Sequence, residues 1–237
     1  MTAGMIDATI PWFASIKEAG VWRELPGLNT TTSSLEISSS LYSLFTVGEW
    51  NFFANPSMVE EGLFSVGKEL KFSFLKNNET TIIELSILTV SNGPGVDNIR
   101  LQQGMSLSLV SPWYFNQGLH SKAYQGKASD IIKDVLKYNS HSFNTINIET
   151  SYDTPAIRYQ TIQSDQSFIT NRVYPFSIGK DKQNMYMYVD QFNNFNLINH
   201  KTIMDSTPIV CIDNSSPHLA AYRGWMEDAK LSKKMLY

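Results

Sequence analysis

The chain has 237 residues, 42% of them hydrophobic and 17% charged, which is enough apolar material for one large or two modest domains with a real core. Lys and Arg number 19 against 22 Asp and Glu, and the net charge of −3 is the wrong balance for a protein whose main partner is a phosphate backbone. A single cysteine, Cys211, excludes an internal disulfide framework, no apolar run is long enough to span a bilayer, and Pro11, Lys17 and Glu18 interrupt any secretory leader. The expectation is a soluble protein from a reducing compartment, with no membrane anchor.

Residues 1–34 read as an irregular N-terminal arm, because Pro11, Gly20, Pro26 and Gly27 punctuate its apolar residues and Asn29 to Ser34 is a polar tract. From Leu35 the period becomes two. Leu70, Phe72 and Phe74 alternate with Glu69, Lys71 and Ser73, and after the turn residues Asn77-Asn78 the pattern resumes with Ile83, Leu85 and Ile87, predicting a hairpin. Asn92-Gly93-Pro94-Gly95 reads as a hard break, and Met105, Leu107 and Leu109 mark the next strand. Upstream, Leu35-Ile37 and Trp50-Phe52 suggest two more. Short antiparallel strands with frequent turns predict a barrel or sandwich over residues 35–115.

Helical spacing follows in a linking module at 116–176. Ser129 is the expected N-cap of a helix with Ile131, Ile132, Val135 and Leu136 on one face, and Ser164-Asp165 starts a second that Pro175 ends. Thr145–Thr150 and Ile157–Ile162 read as extended. A second β region at 177–237 holds the apolar run Met185 to Val189 and an amphipathic helix from Leu219 to about Met235. The fold class is α+β.

No constellation of residues points to chemistry. Gly62 to Lys68 has the spacing of a phosphate-binding loop, but Glu69 stands where a metal-binding hydroxyl belongs and a strand follows instead of a helix. His120, His141, His200 and His218 are too far apart to form a short ligand pair. Cys211 lies in an apolar run, and the neighbours Glu60 and Glu61 point apart. The chain is therefore expected to be no enzyme, with no cofactor and no metal.

Leu109-Val110-Ser111-Pro112-Trp113-Tyr114 resembles the proline-and-aromatic strand corner of tail-hub proteins. The run Ser121 to Leu136, containing Ser129-Asp130-Ile131-Ile132, looks like the short strand and helix that follow it there. Arg158 to Val173 resembles that family's next helix start, and Met185-Tyr186-Met187-Tyr188-Val189-Asp190 its strand ending in Asp. Val66 to Leu70 occupies the place of an upstream Gly-Lys strand. Over residues 35–190 the chain thus resembles the baseplate hub family of contractile-tailed phages, related to phage late-control tail proteins and to the valine–glycine-repeat spike proteins of type VI secretion.

The resemblance implies a tail-tube-like β-barrel with inserted short helices, in a virion subunit assembled in the host cytoplasm. Such subunits form a ring that joins the tail tube, or tube-initiator proteins, to the central spike around an axial channel, with DNA only as passing cargo. Self-assembly as a trimer is expected, or as a hexamer if each subunit holds one barrel. The stretch after Asp190 is short for a whole second barrel, so a partial one is expected. The ring-forming positions are placed on two strands, at Leu70, Phe72 and Phe74 and at Met185, Met187 and Val189. Two rivals remain open. One is a tail-tip carbohydrate- or receptor-binding module using Trp50, Trp113 and Tyr114; the other is a tail-associated cell-wall hydrolase using Glu60 or Glu61.

Overall fold

The computed structural model describes residues 12–29, 33–41, 43–76, 79–97, 102–116, 118–139 and 143–205. His141, Cys211, His218 and the expected helix at 219–235 lie outside them.

Seven strands build the first half: β1 (Trp12–Glu18), β2 (Val21–Asn29), β3 (Ser33–Ser38), β4 (Val47–Ala54), β5 (Glu69–Lys76), β6 (Glu79–Asp97) and β7 (Gln102–Val110). All pairings are antiparallel, in the order β2-β1-β5-β6-β7-β4-β3. Laid flat, seven strands would measure about 29 Å across. Yet the two edge strands are consecutive in the chain, and the link from Asn29 to Ser33 reaches at most about 15 Å. The sheet must therefore curl until its edges approach. The result is an almost closed barrel, whose β2–β3 seam carries no ladder among the described residues.

Alternation fills the inside. Trp12, Ala14 and Ile16 from β1, Leu70, Phe72 and Phe74 from β5, and Ile83, Leu85 and Ile87 from β6 are all buried. Trp50 lies among them, its ring centre 5.2 Å from that of Phe72 and 4.2 Å from that of Phe52. A short helix, α1 (Pro56–Glu60), leads to Leu63 and Phe64, which enter the same core.

Residues 12–29 are thus regular strands where an irregular arm was expected. Ala19 and Gly20, both at positive φ, turn β1 into β2. Pro26 is accommodated because β2 is an edge strand and Pro26 falls between Glu24 and Asn29, where the register against β1 shifts and the ladder is interrupted. The break expected at Asn92 to Gly95 is a register shift between Asn92 and Val96 inside one long strand, β6.

The second half is β8 (Leu119–Gly126), α2 (Ala128–Tyr138), β9 (Ile146–Ile148), β10 (Ala156–Ser164), α3 (Asp165–Phe168), β11 (Met185–Val189), β12 (Phe195–Asn199) and α4 (His200–Asp205). Strands β8 and β10 form a two-stranded antiparallel ribbon, and β11-β12-β9 a mixed sheet with β12 and β9 parallel. One core serves all of it, with Ile131, Ile132, Val135 and Leu136 of α2 meeting Phe168, Ile169, Val173, Phe195 and Leu197. Among the described residues, the region expected to hold a partial second barrel contributes two strands, β11 and β12, to a three-stranded sheet completed by β9 from the linking module. The architecture is α+β, mostly antiparallel with a few short helices.

Candidate assembly surfaces

The residues that carry the family resemblance serve as joints. Ser129 is not the cap of α2; Lys127 is, and it caps with backbone alone. The first helical N–H groups are satisfied from a distant loop instead. Ala128 N donates to Asp153 Oδ2 at 2.9 Å and Ser129 N to Ser151 Oγ at 2.9 Å, while Ser151 N returns a bond to Ser129 Oγ at 3.0 Å. Ser164 does cap α3, accepting from Ser167 N at 3.2 Å. Its neighbour Asp165 is buried and accepts from Gln160 Nε2 at 2.8 Å and from Asn139 Nδ2. From Ile169 the helix widens into a π turn and then tightens to a 3-10 turn at Tyr174–Phe176, which contains Pro175. Asp190 shapes the β11–β12 turn, its Oδ1 accepting from Phe192 N at 2.9 Å and Asn194 N at 3.0 Å.

A further joint ties the two halves together. Ser111 N donates to Thr46 O at 3.0 Å and Thr46 N to Ser111 Oγ at 3.1 Å. Thr46 Oγ1 donates to Val189 O at 3.0 Å, and Val189 N to Leu44 O at 2.8 Å. All three side chains are buried.

The six positions expected to face a neighbour in a ring all point inward. Leu70, Phe72 and Phe74 lie in the barrel core, on a strand hydrogen-bonded on both sides by β1 and β6. Met185, Met187 and Val189 lie in the second core, and the outer edge of β11 already spends the Val189 N–H on Leu44. The cause is the two-residue period: the more apolar face of each strand is the one that the protomer itself buries. Any side-chain contact made by these strands falls to their outward neighbours, such as Ser73 and Leu75, or Tyr186 and Tyr188. Trp50 and Trp113 are also core residues, which leaves Tyr114 as the partly exposed member of the aromatic trio. It borders an open groove of about 590 Å³, with Phe45, Gln166 and Asn171, that no charged side chain lines.

Glu61 pairs with Arg23 at 3.3 Å, and Arg23 also meets Glu18 at 3.2 Å, in a network at one end of the barrel. Lys17 pairs separately with Glu69 at 2.8 Å. Gly62 and Gly67 take positive φ in the loop that delivers β5, and Lys68 Nζ lies 3.8 Å from Glu18, so this segment is a turn with ion pairs at its edge. No group of three or more His, Cys, Asp or Glu side chains that could hold a metal ion occurs among the described residues. No helix among them is long and apolar enough to cross a membrane. Tyr124 is buried without a hydrogen-bond partner for its hydroxyl. Burial, aided by the Asp165 carboxylate, pushes its phenol up to about 12.

Two surfaces stand out by what they expose. The outer face of the β8–β10 ribbon presents Leu119 at 66%, Ile157 at 56%, Tyr159 at 65% and Ile162 at 75% exposure. Between them lie Ser121, Ala123 and Gln125, so the face has no charge. Ile162 sits in a bulge at φ +47, a conformation that a β-branched residue rarely adopts, and its N–H donates to Ser121 Oγ at 3.1 Å. The second surface is on the barrel wall. The register aligns Phe13 with Ser73 and Ser73 with Ile82, with Leu75 diagonal to both, and these three apolar side chains are 47%, 47% and 43% exposed in the order Phe13, Ile82, Leu75. Alternation alone does not reveal either surface, because an outward Ile or Tyr reads like any strand residue.

No protein-family model matches the chain, and no curated protein matches it. Among solved structures, a Francisella PdpA-VgrG complex in a half-lidded form is similar over 90% of this chain and 35% of that one, at 12% identity and a TM-score of 0.47. The lidded form of the same complex gives 88%, 32%, 12% and 0.47 in the same order. A tail protein from Neisseria meningitidis MC58 is similar over 87% of this chain and 57% of that chain, at 10% identity and a TM-score of 0.45. The chain therefore spans between about a third and just over half of the solved chains it matches.

Proposed function

We propose that this protein is a structural subunit of a phage tail baseplate hub, working by assembly and performing no chemistry. Its copies form a ring between the tail tube and the central spike, around an axial channel. The observation that carries this reading is where the hub-like residues fall. Ser129, Ser164, Asp165 and Asp190 each hold a joint of the second half, and Ser111 holds that half to the barrel. A protein that transmits load through a tail needs its parts locked together, and these bonds lock them. A ring also gives exposed sheet surfaces a partner, which an isolated subunit lacks.

The test is the mass of the purified chain by light scattering, alone and mixed with its neighbouring tail proteins, with negative-stain imaging of the same samples. Three copies in an annular particle are expected, and six would fit a one-barrel ring. A single chain at every concentration, with the tail partners present, would overturn the proposal. The uncharged aromatic groove beside Tyr114 favours a second reading as a receptor-binding module. Glycan-array binding that Tyr114→Ala abolishes, in a chain that forms no ring, would move the function there.

A further inference from the structure

We infer that the groove beside Tyr114 binds a neutral saccharide chain, held by the hydroxyl and amide side chains of α3 and its π turn against an aromatic wall. The inference rests on the second reading above, that this groove meets a receptor, and adds the chemistry of the ligand. The groove measures about 590 Å³, inside the roughly 300–1,000 Å³ range of small-molecule sites. Phe45, Tyr114 and Phe115 form one wall, and their rings meet edge to face. Tyr114 lies 5.5 Å from Phe45 and 5.3 Å from Phe115, centre to centre. That packing fixes Tyr114 while 37% of it stays exposed. The facing wall comes from Ser164 to Asn171, so three separate stretches of the chain converge on one space.

The ligand class follows from what the lining can pair. No charged side chain lines the groove, so an ionic group entering it would lose hydration and gain no partner. A purely apolar ligand suits it no better. It would bury the hydroxyls of Ser164, Ser167 and Thr170 and the amides of Gln166 and Asn171 without hydrogen bonds. A sugar ring meets both demands, because its C–H face lies on an aromatic ring while its hydroxyls both donate and accept. The polar wall is already ordered for this. Asn171 Nδ2 donates to Ser167 Oγ at 3.2 Å, and Ser167 N to Ser164 Oγ at 3.2 Å. These bonds leave the Ser167 hydroxyl proton and the exposed Asn171 carbonyl to a ligand. Thr170 Oγ1 has no hydrogen-bond partner in the chain, and threonine in a helix has two χ1 wells, so this hydroxyl can turn toward the groove. Thr170 and Asn171 both lie in the π turn, a rare geometry that recurs at functional sites. The groove is open rather than enclosed, which suits a chain of sugars whose ends continue into solvent.

The experiment applies the full chain and three variants, Tyr114→Ala, Asn171→Ala and Tyr159→Ala, to two arrays. One carries neutral, sulfated and sialylated glycans, the other uncharged linear peptides. Chemical-shift titration then gives the dissociation constant of the best neutral glycan. The wild type should retain neutral glycans in preference to charged ones. Tyr114→Ala should weaken that binding about tenfold through lost stacking, and Asn171→Ala about fivefold through one lost hydrogen bond. Tyr159→Ala alters an exposed tyrosine on the ribbon and should leave binding unchanged, which excludes general aromatic adhesion. Circular dichroism checks folding; if Tyr114→Ala misfolds, Asn171→Ala, at an exposed side chain, carries the test. Retention without a preference for neutral glycans, or retention that survives both groove variants, overturns the inference. Peptides held through Tyr114 with no glycan bound overturn it while the receptor-binding reading stands, and no retention on either array overturns the two together. The ring proposal is judged separately, by the mass of the chain without glycan.

Discussion

Tyr124 and Ile162 show how single residues can stand at odds with the fold around them. The Tyr124 hydroxyl is buried without a partner, a desolvation cost that phenylalanine would not incur. Tyr124→Phe should therefore leave stability unchanged or raise it by about 1 kcal/mol at neutral pH, as read by urea unfolding. The alkaline limb carries a sign. Below pH 10 the phenol is neutral in both states. From pH 10 towards 12 only the unfolded chain can ionise it, so stability falls with rising pH, and Tyr124→Phe should flatten that fall. An unchanged alkaline limb in the variant would contradict the assignment. Ile162→Asn should relax a left-handed backbone that asparagine tolerates and raise stability by about 1 kcal/mol, because the isoleucine buries little in the protomer. A loss of stability would mean that the side chain packs after all.

Among the elements, α2 was legible as a helix and misread at its start. Its apolar spacing over Ile131 to Leu136 is local, and the local pattern matches the buried face. The cap is not local: Ser151 and Asp153 reach the helix N-terminus from more than 20 positions along the chain. Ser151→Ala leaves the Ser129 N–H buried without its acceptor and should cost about 1–2 kcal/mol, measured by thermal or urea unfolding. A cost near zero would show that another group takes over the cap. The strands β3 to β7 follow from their alternation, whereas β1 and β2 were hidden behind Pro26 and Gly27. Whether a proline breaks a strand depends on whether its N–H side faces a neighbour, and only the sheet order decides that.

At the scale of the whole described molecule, two cores meet at one hydrogen-bonded joint. Thr46 bonds to Ser111 on one side and Val189 on the other, from a fully buried position. Thr46→Val removes the hydroxyl and leaves the Val189 carbonyl unserved, so a loss of about 1–2 kcal/mol is expected. Calorimetry should also show the single transition of the parent broadening or splitting as the halves uncouple. A sharp transition with unchanged stability would place the coupling elsewhere.

The sequence by itself determined the α+β class, most of the strands, the apolar faces of the helices and the residues that resemble a hub, because each of these is written in spacings of two to four residues. Only the tertiary structure decided which face of each strand turns outward, how the sheet curls to bring β2 and β3 together, and which loop caps α2. Those outcomes depend on groups far apart in the chain. The six residues expected at a ring contact illustrate the difference: their apolar character was plain from composition and spacing, but burial inside one protomer and burial between two demand the same side chains. The fold alone distinguishes them, by placing Leu70 to Phe74 and Met185 to Val189 within and leaving Tyr159 and Ile162 without.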